Sequence, residues 1–145
     1  MDASELEKRI RAGIPLSAGM DFRIRALSDL AITVWAGAAE NVNVHGTAFA
    51  GSLYTACTLA AWGLVTSRLP YTTSLVLADA SIRYLKPVVG EIVATCTIPP
   101  ELMAEFMNSI EQHGKGRLQA HVTVAGEEQH AVEFYATLYA RKDSY

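Results

Sequence analysis

The chain has 145 residues, half of them hydrophobic and 19% charged, with a formal net charge of −3. That length fits one domain able to bury a sizeable core, so residues 1–145 are read as one unit with residues 1–20 as a helical lead-in. The acidic balance lacks the basic footprint of a nucleic-acid binder. Asp2, Glu5, Glu7, Lys8, Arg9 and Arg11 leave no apolar signal core near the start, which predicts a cytoplasmic protein. The most apolar run, residues 53–65, falls short of the roughly 18–20 residues that a membrane span needs.

Residues 4–11 (SELEKRIR) put Leu6 and Ile10 on one helical face, with Asp2 or Ser4 as cap; Gly13 and Pro15 end that helix. Residues 21–36 alternate, first Phe22, Ile24 and Ala26, then Leu30, Ile32 and Val34, joined through Ser28 and Asp29. This predicts two short strands or one strand with a bulge. Asn43, His45, Gly46 and Thr47 make a polar turn, and the Gly-Thr pair predicts a helix start near Ala48. From there to about Ser67 the chain has no proline and almost no charge, and is apolar nearly all round, so most faces of this helix must be buried. Its small residues, among them Ala50, Gly51, Ala56, Ala60 and Gly63, let neighbouring backbone come close.

Residues 68–73 form a loop around Pro70, and residues 74–86 a long strand stopped by Pro87. Residues 88–90 read as a tight reversal into a strand over 90–98. Pro99 and Pro100 open a short helix with Leu102, Phe106 and Ile110 on one face. After a turn at 114–116, residues 117–124 alternate with Leu118, Ala120, Val122 and Val124 inward; residues 125–128 make a hairpin, and residues 130–141 alternate with Val132, Phe134, Ala136 and Leu138 inward. This order predicts an α+β fold in which one antiparallel sheet curls around a long central helix, the hotdog architecture. Cys57 and Cys96 form no CxxC pair and lie in apolar stretches, which predicts reduced core thiols. His113, His121 and His130 lack metal-ligand spacing, so no metal site is predicted.

The segment NVHGTAFAGS (43–52) resembles the entry to the central helix of PaaI-type hotdog thioesterases, NxxGTxHGGA, with Asn43, Gly46, Thr47 and Gly51 at the matching spacing. The segment SIRYLKP (81–87) resembles the second family mark, SINFLRP. Taken with NVHGTAFAGSLY, AAWGL and ADASIRYLKP, the chain over about residues 21–141 is similar to the YiiD carboxy-terminal domain family. That resemblance implies an acyl-thioester substrate. The family is described as thioesterase, and malonyl-acyl carrier protein decarboxylation is associated with it.

A helix start offers free backbone N–H groups and the positive end of the dipole. Amides near Ala50 and Gly51, aimed at a thioester carbonyl, would stabilise an oxyanion or enolate. Asn43 either polarises that carbonyl or stabilises its own turn. PaaI-type hydrolysis places a carboxylate on the central helix to activate water. Here Phe49 takes the motif histidine's position, the carboxylate position falls on Thr58, and no Asp or Glu occurs between Glu40 and Asp79. Decarboxylation of a malonyl thioester needs no base, only an electron-accepting carbonyl and a dry pocket, for which Phe49, Leu53 and Tyr54 supply a wall. Ser52 either hydrogen-bonds the departing carboxylate or packs. His45 either protonates the carbanion or serves the turn. Asp79 is a structural hydrogen-bonder or a base acting across a dimer interface, which would restore hydrolysis.

Similarity to hotdog enzymes points Arg83, Lys86, Lys115 and Arg117 toward phosphopantetheine or an acidic carrier, although each alone also reads as solvated charge. The expected function is malonyl-acyl carrier protein decarboxylation, giving acetyl-acyl carrier protein to start fatty acid synthesis. The alternatives are an acyl-thioester hydrolase and a non-catalytic acyl-thioester-binding module. Acyl carrier protein or coenzyme A would deliver the substrate with its own phosphopantetheine, with no further cofactor. A homodimer is expected, possibly paired into a tetramer, because related active sites form between two subunits.

Overall fold

The computed structural model describes residues 1–143, so Ser144 and Tyr145 of the expected domain lie outside the described residues. Helices α1 (Ala3–Gly13) and α2 (Pro15–Gly19) lead into strands β1 (Arg23–Leu27) and β2 (Ala31–Ala36). A 3₁₀ turn (Ala39–Asn41) and a loop then reach the central helix α3 (Ala50–Thr66). Strands β3 (Thr73–Tyr84) and β4 (Ile92–Thr97), helix α4 (Pro100–His113), and strands β5 (Lys115–Ala125) and β6 (His130–Lys142) complete the chain. The six strands form one antiparallel sheet in the order β1-β2-β4-β5-β6-β3.

Period-two alternation decides which face of the sheet meets the helix. Ile32, Val34, Ile92, Ala94, Cys96, Leu118, Val122, Phe134 and Leu138 are buried on the inner face, and α3 packs into that hollow. Gly63 lets Ile10 and Leu6 of α1 approach the helix from its other side. No residue of α3 after Ala50 is fully exposed. Burying Leu53, Leu59, Leu64 and Val65 contributes roughly 6–12 kcal/mol at about 1.5–3 kcal/mol each. This is the hotdog arrangement expected from the order of elements.

Several local expectations are corrected. The central helix begins at Ala50, two residues after the expected start, and Thr47 does not cap it. Ala48 is held outside the helix by a bridge to Val42 and by donating its N–H to the Val88 carbonyl at 2.8 Å. Residues 88–90 are no tight reversal between neighbours: β5 and β6 lie between β4 and β3, so residues 85–91 are a crossover. Pro15 ends α1 but also starts α2, because proline fits the first helical turn. In α4 the buried face is Met103, Phe106 and Ile110, whereas Leu102 is exposed. Residues 21–36 form two strands, and the first also carries an irregularity between Ile24 and Ala26. Among the described residues, no helix is long and apolar enough to cross a membrane.

Cys57 and Cys96 are buried free thiols, as expected. Burial pushes both up from the ordinary 9.0 to about 12, with the neighbouring Cys96 adding to the effect on Cys57. Only about 10⁻⁴ of each is thiolate at pH 8, and the thiolate is the reactive species. A water-soluble thiol reagent at pH 8 is therefore expected to label neither cysteine until denaturant is added; rapid labelling of the native protein would contradict this packing. Because the folded state keeps protons that the unfolded chain releases, these thiols also remove stability as pH rises from 9 toward 12.

Candidate active site

The loop before α3 is built by two asparagines. Asn41 is buried, and its Nδ2 donates to the carbonyls of Met20 at 2.9 Å and Gly37 at 2.7 Å. Its own carbonyl receives the Phe49 N–H at 2.7 Å, fixing where the helix can begin. Asn43 closes the turn itself. Its Oδ1 accepts from the N–H groups of His45 at 2.8 Å and Thr47 at 3.1 Å. Its Nδ2 donates to Thr47 Oγ1 at 2.9 Å and the Ala48 carbonyl at 3.4 Å. Both donor hydrogens and both acceptor positions of the amide are thus taken. As the turn stands, no donor remains on Asn43 to polarise a substrate carbonyl. Gly46 completes the turn with φ 81°, a left-handed conformation suited to glycine.

What the loop delivers is a helix start without a cap. Phe49 stands at the N-cap position and offers no side-chain hydrogen bond. Leu53 N–H is the first in α3 to find a backbone carbonyl, that of Phe49 at 3.0 Å. The N–H groups of Ala50, Gly51 and Ser52 have no partner among the described residues. Losing a cap costs about 0.5–2 kcal/mol, small beside the burial of the same helix. The uncapped end therefore persists and presents three donors with the positive end of the dipole.

Gly51 and Ser52, next to Ala50, line an apolar groove of about 520 Å³ together with Leu16, Met20, Glu40, Phe49 and Thr55, among others. The Phe49 ring is 55% exposed and lies over Gly51, where an added Cβ would meet it at 2.5 Å. Gly51 therefore serves the ring's position as well as the amide. Tyr84, at the end of β3, donates its hydroxyl to the Ala50 carbonyl at 2.9 Å, tying the sheet to the first helical residue. Burial, then the neighbouring Cys57 and Tyr54, push the Tyr84 phenol up from its ordinary value.

The remaining expected residues do not converge on this point within one chain. Tyr54 packs its ring edge-on against Phe134 at 5.3 Å, and the Thr58 hydroxyl is spent on the Tyr54 carbonyl at 2.9 Å. His45 is exposed at the tip of the turn. Asp79 pairs with Thr137 on the outer face of the sheet, where it lines a separate cavity of about 500 Å³ with Ser81, Gln119, His121 and Tyr135. Arg83 shares that outer face through its register with Glu133. Lys115 and Arg117 lie near the opposite end of β5 from Val124, which shares the Tyr84 end of the sheet. At about 3.4 Å per residue, Lys115 and Val124 are roughly 30 Å apart.

Three residues escaped the sequence reading. Glu40 is the last acid before the acid-free stretch, and it lines the groove beside Phe49 and Ser52. Asn41 is the buried anchor, and its Asn-x-Asn spacing with Asn43 was the available signal. Tyr84 lay in plain view inside SIRYLKP, but only the folded chain shows what it reaches. Because Asn43 is spent on its turn, Asn43→Ala is expected to lower the unfolding free energy by about 1–2 kcal/mol as well as activity. Chemical denaturation checks this: unchanged stability would mean that Asn43 serves substrate alone.

Comparison with known proteins identifies the group. Residues 3–142 match the model of the family described as "Putative thioesterase (yiiD_Cterm)". The chain is similar to the solved structure of a thioesterase from Shewanella oneidensis, itself named putative, with 30% identity over 98% of this chain and 97% of that one, at a TM-score of 0.83. It is also similar to a protein of unknown function from Chlorobaculum tepidum, with 26% identity over 97% of this chain and 94% of that one, at 0.90. A Pseudomonas aeruginosa structure at 17% identity, covering 98% of this chain and 97% of that one with a TM-score of 0.86, shares the fold. The chain belongs to the thioesterase family of YiiD carboxy-terminal domains, which makes acyl thioesters its substrate class.

Proposed function

We propose that the protein binds an acyl thioester at the start of α3 and decarboxylates a malonyl group carried by acyl carrier protein. The observation that carries this reading is the uncapped helix start, with three free amides, two of them on residues that line an apolar groove, and no carboxylate anywhere on α3. With the thioester oxygen on the amides of Ala50 and Gly51, the bond between the α-carbon and the carboxylate breaks. Its electron pair moves into the carbonyl as an enolate, carbon dioxide leaves, and the α-carbon takes one proton to give the acetyl thioester. His45, on the adjacent turn, or water supplies that proton. Phe49 and the groove around it keep the reacting carboxylate poorly hydrated, which favours its loss. The acetyl product suits the start of fatty acid synthesis. The substrate brings its phosphopantetheine, and the reaction uses no further cofactor.

A dimer is part of this reading. β3 is a twelve-residue edge strand with Val76 exposed, and an open edge of that length invites pairing. Antiparallel pairing of two β3 edges would bring the Lys115 end of one protomer to the end where its partner's α3 starts. Lys115 and Arg117 would then stand where an acidic carrier approaches.

Glu40 favours hydrolysis as a second reading, since a carboxylate beside the amides can activate water. Incubation with malonyl-acyl carrier protein followed by mass analysis separates the two. Acetyl-acyl carrier protein is expected, at a rate that Glu40→Gln leaves unchanged. Free carrier thiol, with a loss of about 10²-fold or more in Glu40→Gln, would establish hydrolysis instead.

A further inference from the structure

A third cavity, of about 270 Å³, sits at the other end of α3, lined by Arg9, Trp62, Thr66, Tyr71, Thr73 and Ser74 among others. Thr66 is sixteen residues from Ala50, so roughly 24 Å along the helix separates this cavity from the amide site. Thr66 and Thr73 are only 4% and 8% exposed, and their hydroxyls have no hydrogen-bond partner among the described residues. A buried hydroxyl without a partner costs about 1–3 kcal/mol, so two lining one cavity call for a physical reason. The other hydroxyls of the same helix sharpen the point. Thr55 and Thr58 turn back onto the carbonyls of Gly51 and Tyr54 at 2.8 and 2.9 Å, whereas Thr66 leaves the equivalent bond unmade.

The surrounding groups define what would fit. Arg9 lies 4.5 Å over the Tyr71 ring and forms no salt bridge among the described residues. None of the lining residues is acidic. The nearest carboxylate in the hydrogen-bond network is Asp143, which accepts from Ser74 Oγ at 2.8 Å and so opposes an anion. The negative end of α3 points this way, but its last carbonyls are occupied. Gly63, Leu64, Val65 and Thr66 accept from Ser67 N–H, Ser67 Oγ, Arg68 N–H and Leu69 N–H respectively. The Trp62 indole N–H is likewise spent, on the Leu75 carbonyl. What remains is two hydroxyls without partners and a guanidinium without a salt bridge, a set that matches a ligand rich in acceptor oxygens.

We propose that this cavity is a phosphate-binding site, in which Arg9 supplies the charge and Thr66 and Thr73, whose hydroxyl oxygens are closed to solvent as the cavity stands, rotate to donate to separate oxygens. Room for several waters makes a single phosphate group a comfortable fit, at ~30 Å³ per water. The phosphate comes either from free ion or from the phosphopantetheine arm of a thioester; the second source rests on the function and dimer proposed above.

The test follows the Thr66 and Thr73 methyl resonances of the full chain during titration with inorganic phosphate, against chloride at equal ionic strength. A saturable shift with phosphate alone is expected, abolished in Arg9→Gln and weakened at least about tenfold in Thr66→Val, the loss expected for a hydrogen bond to a charged group. Coenzyme A and phosphate-free pantetheine form the second arm. Coenzyme A acting where pantetheine does not assigns the site to substrate, and a response to inorganic phosphate only assigns it to the free ion. No saturable response to either, or one that Arg9→Gln leaves intact, would overturn the proposal and leave a cavity holding water. Phosphate binding and turnover are read separately, so the failure of one does not disguise the failure of the other.

Discussion

The structure depends on a helix whose burial is strong enough to leave its own first turn unsatisfied. Ordinary helices recruit Ser, Thr, Asp or Asn at the cap position, and this one has Phe49. The hydrogen-bonding side chains nearby are engaged elsewhere. Thr47 accepts from Asn43, and Asn43 gives its whole amide to the turn. Side chains of α3 packed between the sheet and α1 outweigh the missing cap several times over. The free amides of Ala50, Gly51 and Ser52 follow from that imbalance, and a thioester oxygen is a partner chemically suited to them.

Much of the fold was legible because burial writes itself into period and composition. The alternation over β5 and β6 matches the buried set of Leu118, Ala120, Val122, Val124, Val132, Phe134, Ala136 and Leu138. The apolar run of α3 read as a helix enclosed on most sides, and it is. Strand pairing was not legible. Residues 88–90 look like a hairpin turn, yet the segment crosses the sheet, because adjacency in sequence carries no information about which edge a strand joins. The helix start was misplaced by two residues for a similar reason: Ala48 is held by Val88, forty positions away.

The candidate site was legible as a place more than as a set of roles. The stretch 43–52 does form the entry to the central helix, and its acid-free character is a property of the sequence itself. Reading chemistry into single residues was less secure. Asn43 has the right position and the wrong availability, a distinction that only its four hydrogen bonds reveal. Asp79, one step past an irregularity in β3, sits on the outer face, and sequence spacing alone places it no nearer. Glu40 lies eighteen residues before the position that usually carries the carboxylate, yet the loop folds it onto the groove.

The central claim is that the free amides at the start of α3, those of Ala50 and Gly51 with Ser52 beside them, receive the thioester oxygen. Its most direct measurement is the backbone amide spectrum during titration with an unreactive oxygen-ester analogue of an acyl-pantetheine. Saturable downfield shifts centred on those three N–H groups are the predicted result. Shifts centred instead on the outer sheet face around Gln119, His121 and Tyr135, with the α3 amides unmoved, would contradict the account.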